Sequence, residues 1–175
     1  MITCIYIFII TIITIYIFMI IIMIIYFFFT EPLRNLALHK PANQSSTHSD
    51  VASYGAFRAV DGIRQAYWVP PYCTHTTDEH NPFWYVDLGE QHEISRVEIV
   101  NRAGYGERLR DISVVVAENQ GKYDQTCGHY KGPGKKVPMV KMTCPERTRG
   151  RYVKVQVATA HKLPLTLCEV EVWGY

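Results

Sequence analysis

The imidazole of His75, the guanidiniums of Arg102 and Arg108 and several aromatic rings are gathered around one predicted strand between Trp68 and Arg108. His75 sits in Cys73-Thr74-His75, Arg102 in Asn101-Arg102-Ala103-Gly104-Tyr105, and Arg108 closes Gly106-Glu107-Arg108. Between them runs Asn81-Pro82-Phe83-Trp84-Tyr85-Val86-Asp87-Leu88-Gly89. An arginine presents a planar fork of N–H donors that fits two adjacent oxygens, and a neutral imidazole can donate or accept a third hydrogen bond. Trp68, Tyr72 and Tyr105 offer flat faces that cover the apolar side of a ring. Such a set suits a small polyhydroxylated ligand, above all a sugar. Each arginine alone reads equally well as a solvated surface cation, so the site rests on the joint placement of His75, Arg102 and Arg108.

Other chemistries find less support. The chain has no Gly-x-Ser-x-Gly elbow, no phosphate loop and no His-Glu-x-x-His, and its carboxylates form no recognisable acid/base pair. A binding protein is therefore expected rather than an enzyme. His75 and His80 flank Asp78-Glu79 at a spacing that matches no metal motif, and this segment reads as a solvated loop. Asp61 before Gly62, and Glu169 after Cys168, offer the hard oxygens that calcium prefers. Asp-Gly is also ordinary turn chemistry.

The charge balance, 18 basic against 16 acidic residues for a net +2, lacks the surplus that holds nucleic acid. No charge occurs from Met1 to Phe29, and Ile5 to Phe29 is almost wholly Ile, Phe, Tyr and Met. That run exceeds the roughly 20 apolar residues needed to cross a bilayer. It has no basic residue before it and no Ala-x-Ala after it, so a cleaved signal peptide and a signal anchor both stay open. The expected division is 1–30 as the export segment and 31–175 as one globular domain. Four cysteines in that domain, without a close CxxC pair, favour two disulfides over zinc. Spacing leaves three pairings open. Asn43-Gln44-Ser45 is a glycosylation sequon in keeping with export.

The positioning elements read as strands. Trp84, Val86 and Leu88 alternate with polar partners, as do Val97 with Ile99, Ile112 with Val114 and Val116, Val153 with Val155 and Val157, and Cys168 with Val170 and Val172. This period of two marks strands with one buried face, and Gly-containing turns separate them. The expected fold is all-β: an antiparallel β-sandwich or barrel with Greek-key or jelly-roll connections, preceded by an apolar helix.

Taken together, several motifs resemble the F-type lectins, or fucolectins, over residues 35–175. They are Asn35-Leu36-Ala37, Ala59-Val60-Asp61-Gly62, Cys73-Thr74-His75, Asn81 through Leu88, Asn101-Arg102, Gly106-Glu107-Arg108, Gly150-Arg151-Tyr152-Val153 and Cys168 through Val172. The resemblance implies an eight-stranded, discoidin-like jelly-roll β-sandwich that binds fucose through His75, Arg102 and Arg108. It implies a structural calcium held by Asp61 and Glu169, with backbone oxygens near Arg58, Ile63, Tyr72 and Cys168. It also implies the pairs Cys73–Cys168 and Cys127–Cys144, which contribute about 4–5 and about 3 kcal/mol on a chain-entropy estimate.

The sequence departs from the family pattern at the site. Members usually carry an Asp two residues after the first Arg, and often adjacent cysteines that pack on the sugar. Arg102-Ala103-Gly104-Tyr105-Gly106-Glu107-Arg108 lacks both, and Tyr105 offers an apolar shelf in their place. Trp68 and Val69 occupy the aromatic shelf positions. The leading expectation is a secreted or membrane-anchored lectin for fucosylated glycans, used in recognising foreign glycans. The N-terminal segment offers a membrane contact, and homo-oligomers or membrane density would supply multivalency. The alternative is a discoidin-like adhesion module for protein, lipid or another glycan, with a degenerate fucose site.

Overall fold

A computed structural model of the 175-residue chain describes residues 2–29, 32–67 and 72–175. Helix α1 (Ile2–Phe29) is apolar all round and carries no acidic residue in its first turn and no basic one in its last. Ile9–Tyr26 is long and apolar enough to cross a membrane, and every side chain along it is exposed. The Thr14 hydroxyl turns back to the carbonyls of Ile10 at 3.0 Å and Thr11 at 2.9 Å, so this polar group is satisfied inside the helix.

Leu33–Tyr175 forms a separate compact unit. Its eight strands are β1 (Arg34–Asn35), β2 (Ala42–Gln44), β3 (Phe83–Val100), β4 (Ile112–Ala117), β5 (Gln125–Tyr130), β6 (Met139–Thr143), β7 (Arg149–Val157) and β8 (Glu169–Gly174). A single-turn helix, α2 (Val51–Tyr54), lies between β2 and β3. Every strand pairing is antiparallel. The 18-residue β3 organises them. Its first part pairs with β7 and β2, and its second part pairs with β8 and β6. The strand therefore leaves one sheet and enters the other.

Local sequence permits that passage. Gly89 takes a φ of 93°, a conformation open to glycine, and the ladder to β7 slips between Asp87 and His92. A second shift, between Ile94 and Arg96 against β8, switches which side chains face inward. Trp84, Val86, Leu88 and Ile94 are buried before it, Val97 and Ile99 after it. These rows merge with Val114, Val155, Val170 and Leu165 in one core. Burying each such Val, Leu or Ile contributes about 1.5–3 kcal/mol. The Trp84 indole N–H donates to Ala56 O at 2.9 Å, which fixes the turn Ala56–Ala59 to β3. Arg151 grips the Asp87 carboxylate from β7 at 2.6 and 2.7 Å, and this pairing holds the carboxyl below its ordinary range.

The disulfides are Cys73–Cys168 and Cys127–Cys144. The pairing implied by the resemblance is the one formed. Cys127 lies in β5 and Cys144 just beyond β6, so this bridge joins edges of the two sheets.

Candidate functional site

Loops from three parts of the chain meet at the end of β3. The strap Cys73–Thr76 runs beside Leu165–Cys168, with Thr74 N–H to Leu167 O at 2.7 Å and Thr76 N–H to Leu165 O at 3.0 Å. The two threonine hydroxyls accept in return, from Leu165 N–H at 2.8 Å and Leu167 N–H at 3.2 Å. With the Cys73–Cys168 bridge at one end, His75 sits on a fully bonded backbone. Its own carbonyl accepts from His48 N–H at 2.8 Å, and its N–H donates to Tyr54 O at 3.2 Å. Tyr54 ends α2, whose start Asp50 caps by accepting from Ser53 N–H at 2.8 Å.

Asn101 arranges the arginines. It is 2% exposed, and its amide nitrogen points to the carbonyls of Gly106 at 3.1 Å, Gly134 at 2.9 Å and Val137 at 3.1 Å. The turn carrying Arg102 and Arg108 is thereby locked to the β5–β6 connection. Only glycine fits that approach: a Cβ on Gly106 would lie 2.6 Å from Gly134 O. The short 3₁₀ turn Gly106–Arg108 then aims Arg108 back at His75.

The His75 Nδ1 lies 2.7 Å from Thr76 O. A carbonyl only accepts, so Nδ1 carries the proton and Nε2 is left as an acceptor, 3.0 Å from Arg108 Nη1. Burial pushes the imidazole pKa down to about 4, against the pull of the Thr76 bond, and His48, Arg102 and Arg108 add to the fall. His75 is therefore neutral at ordinary pH. Burial, then the neighbouring Arg108, also lowers the Arg102 pKa from its usual value.

The Tyr105 ring lies 4.9 Å from the Arg102 guanidinium and 4.4 Å from that of Arg108, so it steadies both cations. The His48 ring packs 4.5 Å from His75, and Tyr54 meets His75 edge-on at 5.7 Å. Together with Asp78 and Pro164 these side chains line a cavity of about 280 Å³. It can offer two guanidinium forks, one imidazole acceptor and a wall of rings, which is the equipment for gripping a few adjacent hydroxyls.

His75, Arg102, Arg108 and Tyr105 thus come together. Trp68 lies outside the described residues. Tyr72 is half-buried beside Cys73, Val100 and Cys168. His80 is exposed in its loop. His48 and Tyr54 were not legible as site residues, because only long-range backbone pairing with His75 brings them in. The lone local signal is the capping Asp50, which foretells α2 but not its neighbour.

Two further carboxylates, Asp61 and Glu169, lie close enough to interact with each other. Glu169 is 0% exposed; one oxygen accepts from Gly62 N–H at 3.1 Å, and the other, Oε2, is buried without a partner. Asp61 Oδ1 accepts from Ile63 N–H at 2.9 Å, and its Oδ2 is likewise buried and unpartnered. Burial first, and Asp61 second, push the Glu169 pKa up to about 7. Two orphaned carboxylate oxygens that repel each other fit a hard cation. Among the described residues no group of three His, Cys, Asp or Glu side chains converges for a metal, so backbone oxygens would have to complete the shell.

Residues 58–155 match the NedA-like, galactose-binding domain family. Fucolectin-6 of Anguilla japonica is 33% identical over 142 residues, which span 79% of this chain and 74% of that protein. The chain belongs to the fucolectins. Its fold is shared with the lectin domain of lectinolysin complexed with Lewis B antigen, at a TM-score of 0.71 and 32% identity over 79% of this chain and 95% of that one. A fucolectin from striped bass (Morone saxatilis) serum aligns at a TM-score of 0.69 and 29% identity over 81% of this chain. The present fucolectin spans 47% of that longer chain. The motif resemblance and the all-β, discoidin-like fold with its preceding apolar helix are both borne out.

Proposed function

We propose that this fucolectin is a calcium-stabilised lectin that receives fucose in the cavity of His75, Arg102 and Arg108. The observation that carries the reading is the convergence of one imidazole with two guanidiniums that form no ion pair among the described residues. On binding, His75 Nε2 exchanges its Arg108 partner for a sugar hydroxyl, Arg102 and the freed Arg108 donate to adjacent oxygens, and the rings of His48 and Tyr54 wall the apolar edge. Lewis B antigen and fucose binding in the relatives' names agree with this. The named relatives are lectins and carbohydrate-binding modules, which supports binding rather than catalysis.

The test is the pH profile in saturating calcium. Because the imidazole pKa is depressed to about 4, His75 stays a neutral acceptor far below the usual histidine range. Fucose affinity should be level from about pH 8 to pH 5 and fall away near pH 4, where protonation removes the acceptor and adds a third cation. A midpoint near the ordinary histidine value, about 6.5, would contradict the buried neutral His75.

Calcium belongs to the reading through Asp61 and Glu169, with carbonyls of Arg58, Ile63, Tyr72 and Cys168 as backbone ligands. Bound there, it would supply positive charge that lets the buried Glu169 carboxylate stay ionised beside Asp61. For location, we read 1–30 as a signal peptide or anchor and 31–175 as the lectin domain outside the cell, where it serves in recognition of foreign glycans. Ile9–Tyr26 and the exposed Asn43 of the sequon support export. Expressed in a secreting eukaryotic cell, the chain should lose mass with a peptide N-glycosidase, and an Asn43→Gln variant should not. Absence of any such glycan would count against export. Weak single sites gain strength from display in numbers, on a membrane or in an oligomer.

A further inference from the structure

Beside the fucose cavity lies a second cleft, of about 370 Å³. Arg102 lines both, so the two adjoin at one residue. Asn101 and Gly104 form one wall of the second cleft, and Lys135, Lys136 and Val137 of the β5–β6 connection form the other. The walls are pinned rather than loose. Gly134 N–H donates to Leu109 O at 2.9 Å, Val137 N–H to Gly134 O at 3.0 Å, and Asn101 N–H to Pro138 O at 2.9 Å.

The charge of this cleft has no counterpart. Elsewhere in the domain Arg64, Arg96, Lys141 and Arg151 are paired with Glu98, Glu171 or Asp87. Among the described residues no ion pair engages Arg102, Arg108, Lys135 or Lys136, and no carboxylate lines the second cleft. Asn101, 2% exposed, spends its amide nitrogen on three carbonyls, while its Oδ1 is buried with no partner. A neutral sugar is held by mixed donors and acceptors. A cleft that carries three unpaired cations and no carboxylate is suited instead to an anionic group.

We propose that this cleft is a subsite for an anionic substituent, a sulfate ester or a sugar carboxylate, on the residue joined to fucose. The ligand class is then an acidic fucosylated glycan. Lys135, Lys136 and the far side of Arg102 take the anion while fucose occupies the first cavity. This rests on the fucose reading, and the experiment separates the two.

The full chain, solubilised in a neutral detergent, is titrated with four probes of one scaffold: a neutral fucosylated trisaccharide, its sulfate ester, its sialylated form, and the sulfated scaffold without fucose. The sulfated or sialylated fucosyl glycan should bind about tenfold tighter than the neutral one at low salt, with the advantage shrinking as salt rises. Whichever of the two gains names the source of the anion. In Lys135→Gln/Lys136→Gln that gain should vanish while the neutral trisaccharide binds as before. Equal binding of neutral and acidic fucosyl glycans overturns the subsite and leaves the fucose reading standing. Equal binding of the sulfated scaffolds with and without fucose also overturns it, because charge alone then attracts the ligand. Failure of every fucosylated probe overturns both readings.

Discussion

Replacing Arg108 with alanine removes saturable fucose binding and leaves the domain folded. The guanidinium gives His75 Nε2 its protein partner at 3.0 Å and covers the Tyr105 ring at 4.4 Å. It also supplies half of the donors available to the ligand. Hydrogen bonds from a charged group contribute about 1.5–3 kcal/mol each, so losing a fork of two costs on the order of a hundredfold or more in affinity. A single shallow site has no such margin, and the heat of binding disappears. Arg108 is only half-buried and pairs with no carboxylate, so stability should move by no more than about 1 kcal/mol. Arg102→Ala should behave alike. Calorimetry checks the binding and thermal melting checks the fold. Undiminished affinity in both variants would remove the arginines from the site.

Calcium removal has the second large effect, on stability. With Asp61 and Glu169 each holding a buried, unpartnered oxygen, the apo domain carries a Glu169 carboxylate that burial and the neighbouring Asp61 both penalise. Ligand at about a thousand times its dissociation constant stabilises by about 4 kcal/mol, or roughly 10 °C in melting temperature for a domain of this size. A chelator should lower the melting point by about that much, and calcium should restore it. The pH dependence separates this from a general salt effect. Glu169 has a folded pKa of about 7, above its ordinary value of 4.5, so the folded apo protein holds its proton more tightly than the unfolded chain does. Its contribution is therefore fully present below about pH 4.5 and is lost as pH rises through 7, at a cost of about 3 kcal/mol. Calcium should abolish that loss above pH 7, and Glu169→Gln should flatten it without metal. A melting point indifferent to chelator and calcium at pH 7.5 would contradict a structural ion here.

Much of the fold was legible because burial follows the pleat. Trp84, Val86 and Leu88, then Ile112, Val114 and Val116, and Val153, Val155 and Val157 announce their strands by alternation, and each of these named residues is buried. β5 and β6 were less visible. Gln125–Tyr130 is an edge strand with one buried residue, and Met139–Thr143 alternates over only five residues, with an exposed Met139 that blurs the pattern in sequence. The bulge at Ile94/Arg96 was hidden for another reason: it changes the parity of the pattern inside one strand, and the two halves read as separate elements. Glu98 and Glu171 read from their alternation as outward, solvated positions. They are outward, yet only 7% exposed, because Arg64, Arg96 and Lys141 close over them. Of the site, the three basic residues could be named from type and motif. His48 and Tyr54 could not, since they reach the cavity through hydrogen bonds to the His75 backbone.

The central claim is that the His75–Arg102–Arg108 cavity takes fucose although its turn lacks the Asp two residues after Arg102. Calorimetric titration of the full chain in detergent and calcium, with L-fucose against galactose, tests it most directly. Saturable heat with fucose alone is the predicted result. A flat titration with fucose, from protein that is folded and calcium-loaded, would contradict the claim and leave the fold serving as an adhesion module for some other ligand.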